Sequence, residues 1–303
     1  MDLDRLLEIA ELFLGIDNTT DTSTEDQEEV VEEPTREERE DGEFKKVSAR
    51  FGHSDAYLVK TILEAINTVS DEPRVNVTPD GLFLREMDPA HISLIDVRMK
   101  HPDFFEYYEV EKEGEVVLPL ERLLKVFLQG SMKGYRMDAE IKDGMLSMEV
   151  SKYNTPSKKF SIELLSPQNK VRLPELKLSF DAYVTMSVKS LYDAITQLRQ
   201  HADEIMLTTI PGKFTLASKT DVDQASVSFD CNSFYSLDIR GDKEEVKTIY
   251  RIDYLYKFLR PITKLRNTTV AIEYSYNKPL RLTITTLENP YLEIYYYLAP
   301  KVI

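Results

Sequence analysis

Lys257, Arg260 and Lys264 stand at i, i+3 and i+7, one stripe along a helix. Arg122 and Lys125 share a helical face with Gln129, while Lys189 and Arg199 lie away from the apolar positions Leu191, Ala194, Ile195 and Leu198. Cations spaced this way suit one kind of chemistry: neutralising the phosphates of a nucleic-acid backbone, which gives affinity without reading sequence. The pattern comes twice. Val59-Lys60, four residues, then Ala65-Ile66 recurs as Val188-Lys189, four residues, then Ala194-Ile195, at an offset of 129 residues. Leu123-Leu124-Lys125-Val126-Phe127-Leu128 has an echo in Leu255-Tyr256-Lys257-Phe258-Leu259. Lys60 is thereby matched with Lys189, and Lys125 with Lys257, although the first helix offers only Lys60 beside Glu64. No aromatic residue interleaves with these cations, which argues against a platform for stacking single-stranded bases.

Enzymatic constellations are not found. His53, His91, His101 and His201 are scattered, and none has metal-ligand spacing with cysteine or carboxylates. The chain has no G-x-x-x-x-G-K-[ST], G-x-S-x-G or G-x-G-x-x-G. Ten glycines in 303 residues leave little for a phosphate-cradling loop, and Asp221 with Asp223 reads as a turn rather than an acid–base pair. No catalytic residue, metal or cofactor is expected. The single cysteine, Cys231, excludes an internal disulfide framework and fits a reducing compartment. No apolar run reaches the length of a membrane span, and no basic start precedes an apolar run as a secretory signal requires.

The net charge of −15 is unevenly placed. Residues 1–43 hold 17 acidic and 3 basic side chains, while residues 44–303 hold 36 and 35. The body is thus nearly neutral and can present a positive face. Residues 1–16 read as an amphipathic helix on Leu3, Leu6, Leu7, Ala10 and Leu14, and residues 17–43 as a disordered acidic linker. From Phe44 the pattern turns to alternating strands and short helices. Helices are expected at 55–69 with Ser54 as N-cap, from Pro119 to about 129, at 188–201 and at 252–264. Strands are expected at 46–51, 74–77, 82–85, 91–99, 116–118, 136–141, 145–150 and 159–165. The second unit should have them at 180–188, 204–208, 213–217, 225–229, 270–274, 280–285 and 291–298. Residues 166–177 read as an extended connector. The result is an α+β chain of two similar domains, 44–165 and 178–303.

Two motifs add a resemblance. Met87-Asp88-Pro89-Ala90-His91-Ile92-Ser93-Leu94 resembles the strand signature of the DNA sliding clamps, the PCNA family, and Tyr296-Tyr297-Leu298-Ala299-Pro300-Lys301 is similar to that family's C-terminal signature. The Leu173-Pro174-Glu175 connector and Asn277-Lys278-Pro279-Leu280 fall in the right order, so the resemblance covers residues 44–303. It implies a ring of three subunits, each of two clamp domains, with helices lining the inner face and sheets outside. Lys60, Arg122, Lys125, Lys133, Lys189, Arg199, Lys257, Arg260 and Lys264 would then face DNA, with Asp253 standing where a basic residue is common in the family. The resemblance further implies a groove for short client peptides. Its matching positions are Met87, His91, Ile92, Leu94, Val171, Leu173, Pro174, Leu178, Pro279, Ala299, Pro300, Lys301 and Val302. Leu178 replaces a tyrosine common among relatives. Subunits would join by pairing 159–165 of one chain with 225–231 of the next.

The expected function is that of a polymerase processivity factor that encircles duplex DNA. Its partners would be DNA polymerase, clamp loader, flap endonuclease and ligase, in a trimer with itself or paralogues and with no membrane association. The low cysteine content and the lack of an acidic C-terminal tail look archaeal, hence cytoplasmic; a eukaryotic source would make it nuclear. One alternative is a checkpoint-type subunit of a heterotrimer; another is a pseudo-symmetric DNA-bending protein, which should carry its cations on a concave sheet. Residues 1–43 have no counterpart in a typical clamp. They read as a tethered decoration, a docking helix, or a pseudo-ligand built on Leu6, Ile9, Leu12 and Phe13, with the acidic run repelled from DNA.

Overall fold

The computed structural model describes residues 46–167, 173, 176, 178–220, 222–241 and 243–301. The expected helix at 1–16 and linker at 17–43 lie outside the described residues, as does most of the connector.

The N-terminal half runs β1 (Ser48–His53), α1 (Ala56–Ile66), β2 (Arg74–Thr78), β3 (Gly81–Met87), β4 (Ser93–Lys100), β5 (Tyr107–Lys112), β6 (Gly114–Val117), α2 (Leu120–Val126), β7 (Arg136–Lys142), β8 (Met145–Ser151) and β9 (Lys158–Glu163). The C-terminal half repeats that order. It runs β10 (Ala182–Ser187), α3 (Val188–Leu198), β11 (Glu204–Ile210), β12 (Lys213–Lys219), β13 (Gln224–Phe229), β14 (Ser236–Ile239), β15 (Val246–Arg251), α4 (Ile252–Ile262), β16 (Thr268–Tyr274), β17 (Leu280–Thr286) and β18 (Leu292–Leu298).

The repeat extends to strand pairing. In the first half β5-β1-β7-β8-β9 form one sheet and β4-β3-β2-β6 belong to another. Their counterparts in the second half are β14-β10-β16-β17-β18 and β13-β12-β11-β15, in the same orders. The halves differ at one junction. β18 pairs antiparallel with β4, from Leu292 opposite Met99 to Leu298 opposite Ser93, and so fuses two sheets into one of nine strands. The equivalent strands β9 and β13 end their sheets without a neighbour among the described residues.

Helix α1 packs against α4 and α2, and α4 against α3. The apolar face expected on α1 is buried: Leu58, Ile62, Ala65 and Ile66 are at most 9% exposed. Its start differs from expectation. Asp55, not Ser54, is the N-cap, because its carboxylate accepts the amides of Tyr57 at 2.9 Å and Leu58 at 3.1 Å. Helix α2 is shorter than expected, with Pro119 as the residue before it and the chain leaving the helix at Phe127. Strands β5, β14 and β15 were not expected. β5 and β14 sit on sheet edges where charged and polar residues mask the alternation, whereas β15 (VKTIYR) alternates plainly, with Val246, Thr248 and Tyr250 buried.

Candidate nucleic-acid interface and peptide groove

The nine cations expected to face DNA stand on the helices or their adjoining turns, and the structure divides them by what they touch. Lys60 is committed to the fold: its ammonium donates to the Gly130 carbonyl at 2.6 Å and lies 3.7 Å from Glu64, with the side chain only 14% exposed. Glu64 also takes the ammonium of Lys264 at 2.5 Å, which ties α1 to α4. Lys125 pairs with Glu121 one turn earlier, and Lys189 pairs with Asp193 at 3.0 Å. Arg199 pairs with Asp253 across the α3–α4 seam, and this carboxylate raises the already high pKa of the guanidinium. Asp253 therefore neutralises a candidate cation. Lys133, on the turn after α2, lies 5.1 Å above the Tyr57 ring. Arg122, Lys257 and Arg260 are exposed and have no ion pair among the described residues.

The expectation that no aromatic residue interleaves with the cations is corrected. Tyr192 of α3 stacks on Tyr256 of α4 at 5.4 Å, and the Arg199 guanidinium lies 4.1 Å from the Tyr256 ring. Tyr192 has its pKa raised by burial and by Tyr256, while Tyr256 is lowered through its hydrogen bond with Tyr192. Their stacking arises only because two helices pack, but each tyrosine shows in the sequence at helical spacing from a cation, Tyr192 three residues after Lys189 and Tyr256 four before Arg260. The cations stand on helices rather than on a concave sheet, which removes the observation a DNA-bending reading would need.

A second feature lies beside the β18–β4 junction. Leu94, Tyr297 and Ala299 form a buried apolar cluster separate from the main core, with Met87, Leu173, Leu176, Leu178 and Tyr295 packed half-buried around it. The β3–β4 turn that frames it is held by Asp88. That carboxylate accepts the amides of Ile92 at 2.8 Å, Ser93 at 2.5 Å and Ala90 at 3.2 Å, and the Ser93 hydroxyl at 3.2 Å. His91 is exposed at the turn with φ 56°, the left-handed region. The C-terminal segment is pinned beside it: the Ala299 amide donates to the Ile92 carbonyl at 2.8 Å and the Lys301 amide to Ile249 at 2.8 Å. The Lys301 ammonium pairs with Glu204, and Pro279 and Pro300 are buried.

Of the expected groove residues, Met87, Leu94, Leu173, Leu178 and Ala299 thus meet in one cluster. Ile92 does not join it and packs on the main core, because it lies in the turn, before the alternation of β4 begins at Ser93. Val171, Pro174 and Val302 lie outside the described residues. Tyr295, Tyr297 and Leu176 were missed. Strand alternation could have found the tyrosines: Tyr295 and Tyr297 face the cluster, while Tyr296 turns inward and stacks on Phe258 at 4.1 Å. An adjoining groove of about 1440 Å³ shares Met87, His91 and Leu173.

Two like halves fused through one sheet, with cationic helices packed together, define the fold of a DNA sliding clamp. Residues 47–169 match the N-terminal domain of proliferating cell nuclear antigen. The DNA polymerase sliding clamp of Cenarchaeum symbiosum is 26% identical over 257 residues, which cover 84% of this chain and 98% of that one. The DNA polymerase sliding clamp of Methanococcoides burtonii is 22% identical over 252 residues, 82% of this chain and 96% of that one. Among solved structures, PCNA from Thermococcus kodakaraensis superposes with a TM-score of 0.76 at 18% identity, over 84% of this chain and all of that one. The A. fulgidus PCNA bound to the C-terminal region of FEN-1 gives 0.72 at 20% identity, covering 84% and 99%. A PCNA2–PCNA3 complex from Sulfolobus tokodaii also gives 0.72 at 20% identity, covering 83% and 99%. The chain is a homologue of the archaeal DNA polymerase sliding clamps and carries the PCNA N-terminal domain. No helix among the described residues is long and apolar enough to cross a membrane.

Proposed function

We propose that this chain is a subunit of a DNA sliding clamp, a ring that encircles duplex DNA and holds DNA polymerase and other DNA-processing enzymes on it. The observation that carries the reading is the β18–β4 junction. Inside the chain it fuses the five-stranded sheet of one half to the four-stranded sheet of the other. The equivalent edges β9 and β13 remain open and carry half-buried Phe160, Ala225 and Val227. Pairing β9 of one copy with β13 of the next repeats the internal junction between chains. Such head-to-tail contacts close a ring, and closure pairs both of these edges. The reading takes 44–165 and 178–303 as the two clamp domains joined by the connector.

In this ring the helix layer faces the hole. Arg122, Lys257 and Arg260 carry the phosphate contacts, and the paired cations give a weaker background charge. Contacts to charge rather than to bases let the ring move along DNA. The groove around Leu94, Leu173, Tyr297 and Ala299 accepts the apolar side chains of a client peptide, with DNA polymerase, clamp loader, flap endonuclease and ligase as the classes of client. This role assigns no catalysis to the chain and places it with the chromosome, in the cytoplasm of an archaeal cell.

Light scattering of the purified chain tests the ring: the expected mass is three times 35.1 kDa at micromolar concentration. A monomer under those conditions overturns the self-sufficient ring, and a trimer formed only on adding a paralogue shows the heterotrimeric form. Lys257→Glu with Arg260→Glu is expected to lower processive synthesis with the trimer intact, and unchanged synthesis sinks the lining assignment.

A further inference from the structure

The helix layer keeps a surplus of positive charge that its own carboxylates do not cancel. Its nine candidate cations face Glu64, Glu121, Asp193 and Asp253, and five of the nine are already held in ion pairs with these. Arg122, Lys257 and Arg260 are exposed without an ion pair among the described residues. The same chain carries 17 acidic and 3 basic residues in positions 1–43. We propose that the acidic segment 17–43 is an intramolecular competitor for the helix layer, seated on Arg122, Lys257 and Arg260 until DNA displaces it. This rests on the reading of the layer as the DNA-facing surface.

Reach permits it. The described chain begins at Lys46, and β1 passes into α1 through Ser54 and Asp55 alone, so the anchor lies about 20 Å of strand away from the helix layer. The run Glu28, Glu29, Glu32 and Glu33 lies upstream of Lys46 by a stretch of chain that spans about 20 Å as a coil and about 45 Å extended. Tethering at that range gives an effective concentration of roughly millimolar, so several weak contacts suffice. Charge also selects this seat over the groove beside the apolar cluster. That groove is lined by Asp71, Glu72, Glu86, Asp88, Glu115 and Glu121 against Arg74 and Arg85, and repels an acidic run. Duplex DNA carries about one charge per 1.7 Å, denser than the segment, and wins once inside. The segment therefore screens the layer against weaker polyanions.

The test uses the full chain with Glu28→Gln, Glu29→Gln, Glu32→Gln and Glu33→Gln together and a short linear duplex as probe, read by fluorescence anisotropy. Affinity is expected to rise about tenfold at ~50 mM salt, with the gain shrinking below about twofold at ~500 mM. In the unaltered chain, a zero-length carbodiimide coupling is expected between Lys257 and the carboxylates of 17–43, lost on adding the duplex. Equal affinities for the two chains, with Lys257→Glu still weakening duplex binding, overturn the competitor and leave the clamp reading standing. Coupling that avoids Lys257 overturns it as well. If Lys257→Glu has no effect on duplex binding, the DNA-facing assignment falls and takes the competitor with it.

Discussion

Lys60 and Lys257 look alike as cations at helical spacing, yet their surroundings give them different work. Lys60 is nearly covered and donates to a backbone carbonyl, whereas Lys257 stands exposed without an ion pair among the described residues. Lys257→Ala is expected to leave the melting temperature unchanged and to reduce the salt slope of duplex binding by about one phosphate contact. Lys60→Ala should cost about 0.5–1 kcal/mol of stability, with a smaller change in that slope. Anisotropy across a salt series, set beside thermal melts, separates the two, and identical behaviour would count against the division. His53 offers a pH test. Burial lowers its pKa from the ordinary 6.5, and its Nδ1 accepts the Asp55 amide at 2.9 Å, which requires the neutral ring. Protonation favours the unfolded chain, so this stability is full above pH 6.5 and is lost as pH falls through the lowered value. His53→Asn keeps an acceptor and does not titrate. Its melting temperature should fall less than that of the unaltered chain between pH 6.5 and about pH 5, and equal falls sink the assignment.

At the scale of elements, the β3–β4 turn is the frame of the peptide groove. Asp88 is 7% exposed and accepts four hydrogen bonds from the turn, so its loss takes this acceptor from the buried amide and hydroxyl of Ser93 and from the half-buried amide of Ile92. Asp88→Ala is expected to cost about 2–3 kcal/mol in denaturant unfolding. It should also release the Ile92 contact that pins Ala299. Leu173→Ala with Pro300→Ala alters the groove at its half-buried rim and its buried tail. Binding of a client-type peptide bearing one aliphatic and two aromatic anchors should weaken about tenfold, while the melting temperature moves little. Unchanged affinity would place the groove elsewhere.

For the whole molecule, the open edges decide assembly. Val227 lies half-buried in the middle of β13, where proline removes an amide and cannot extend the sheet. Val227→Pro is expected to give a monomer by light scattering with circular dichroism like that of the unaltered chain. A trimer that persists would show that the ring closes through other surfaces. The same variant should lose processive synthesis, because a subunit that does not close a ring cannot encircle DNA.

The duplicated helix motif and the buried faces of the helices were legible in the sequence, because periodicity is a local property; the segment around His91, read as strand, is a turn that ends where β4 begins at Ser93. The open edges β9 and β13 were also legible as strands. What sequence could not show is where distant groups meet. Asp55 displaces Ser54 as a cap through side-chain geometry, and Glu64 draws Lys60 and Lys264 together across two helices. Arg199 finds Asp253 and Tyr256, and Tyr297 turns onto Leu94. Ion pairing and stacking act over a few ångströms in space, whatever the separation along the chain. Sequence alone therefore determined that the chain carries nine candidate cations on repeated helices and their adjoining turns; tertiary structure decided that Arg122, Lys257 and Arg260 are left exposed without an ion pair among the described residues, while Lys133 lies over the Tyr57 ring.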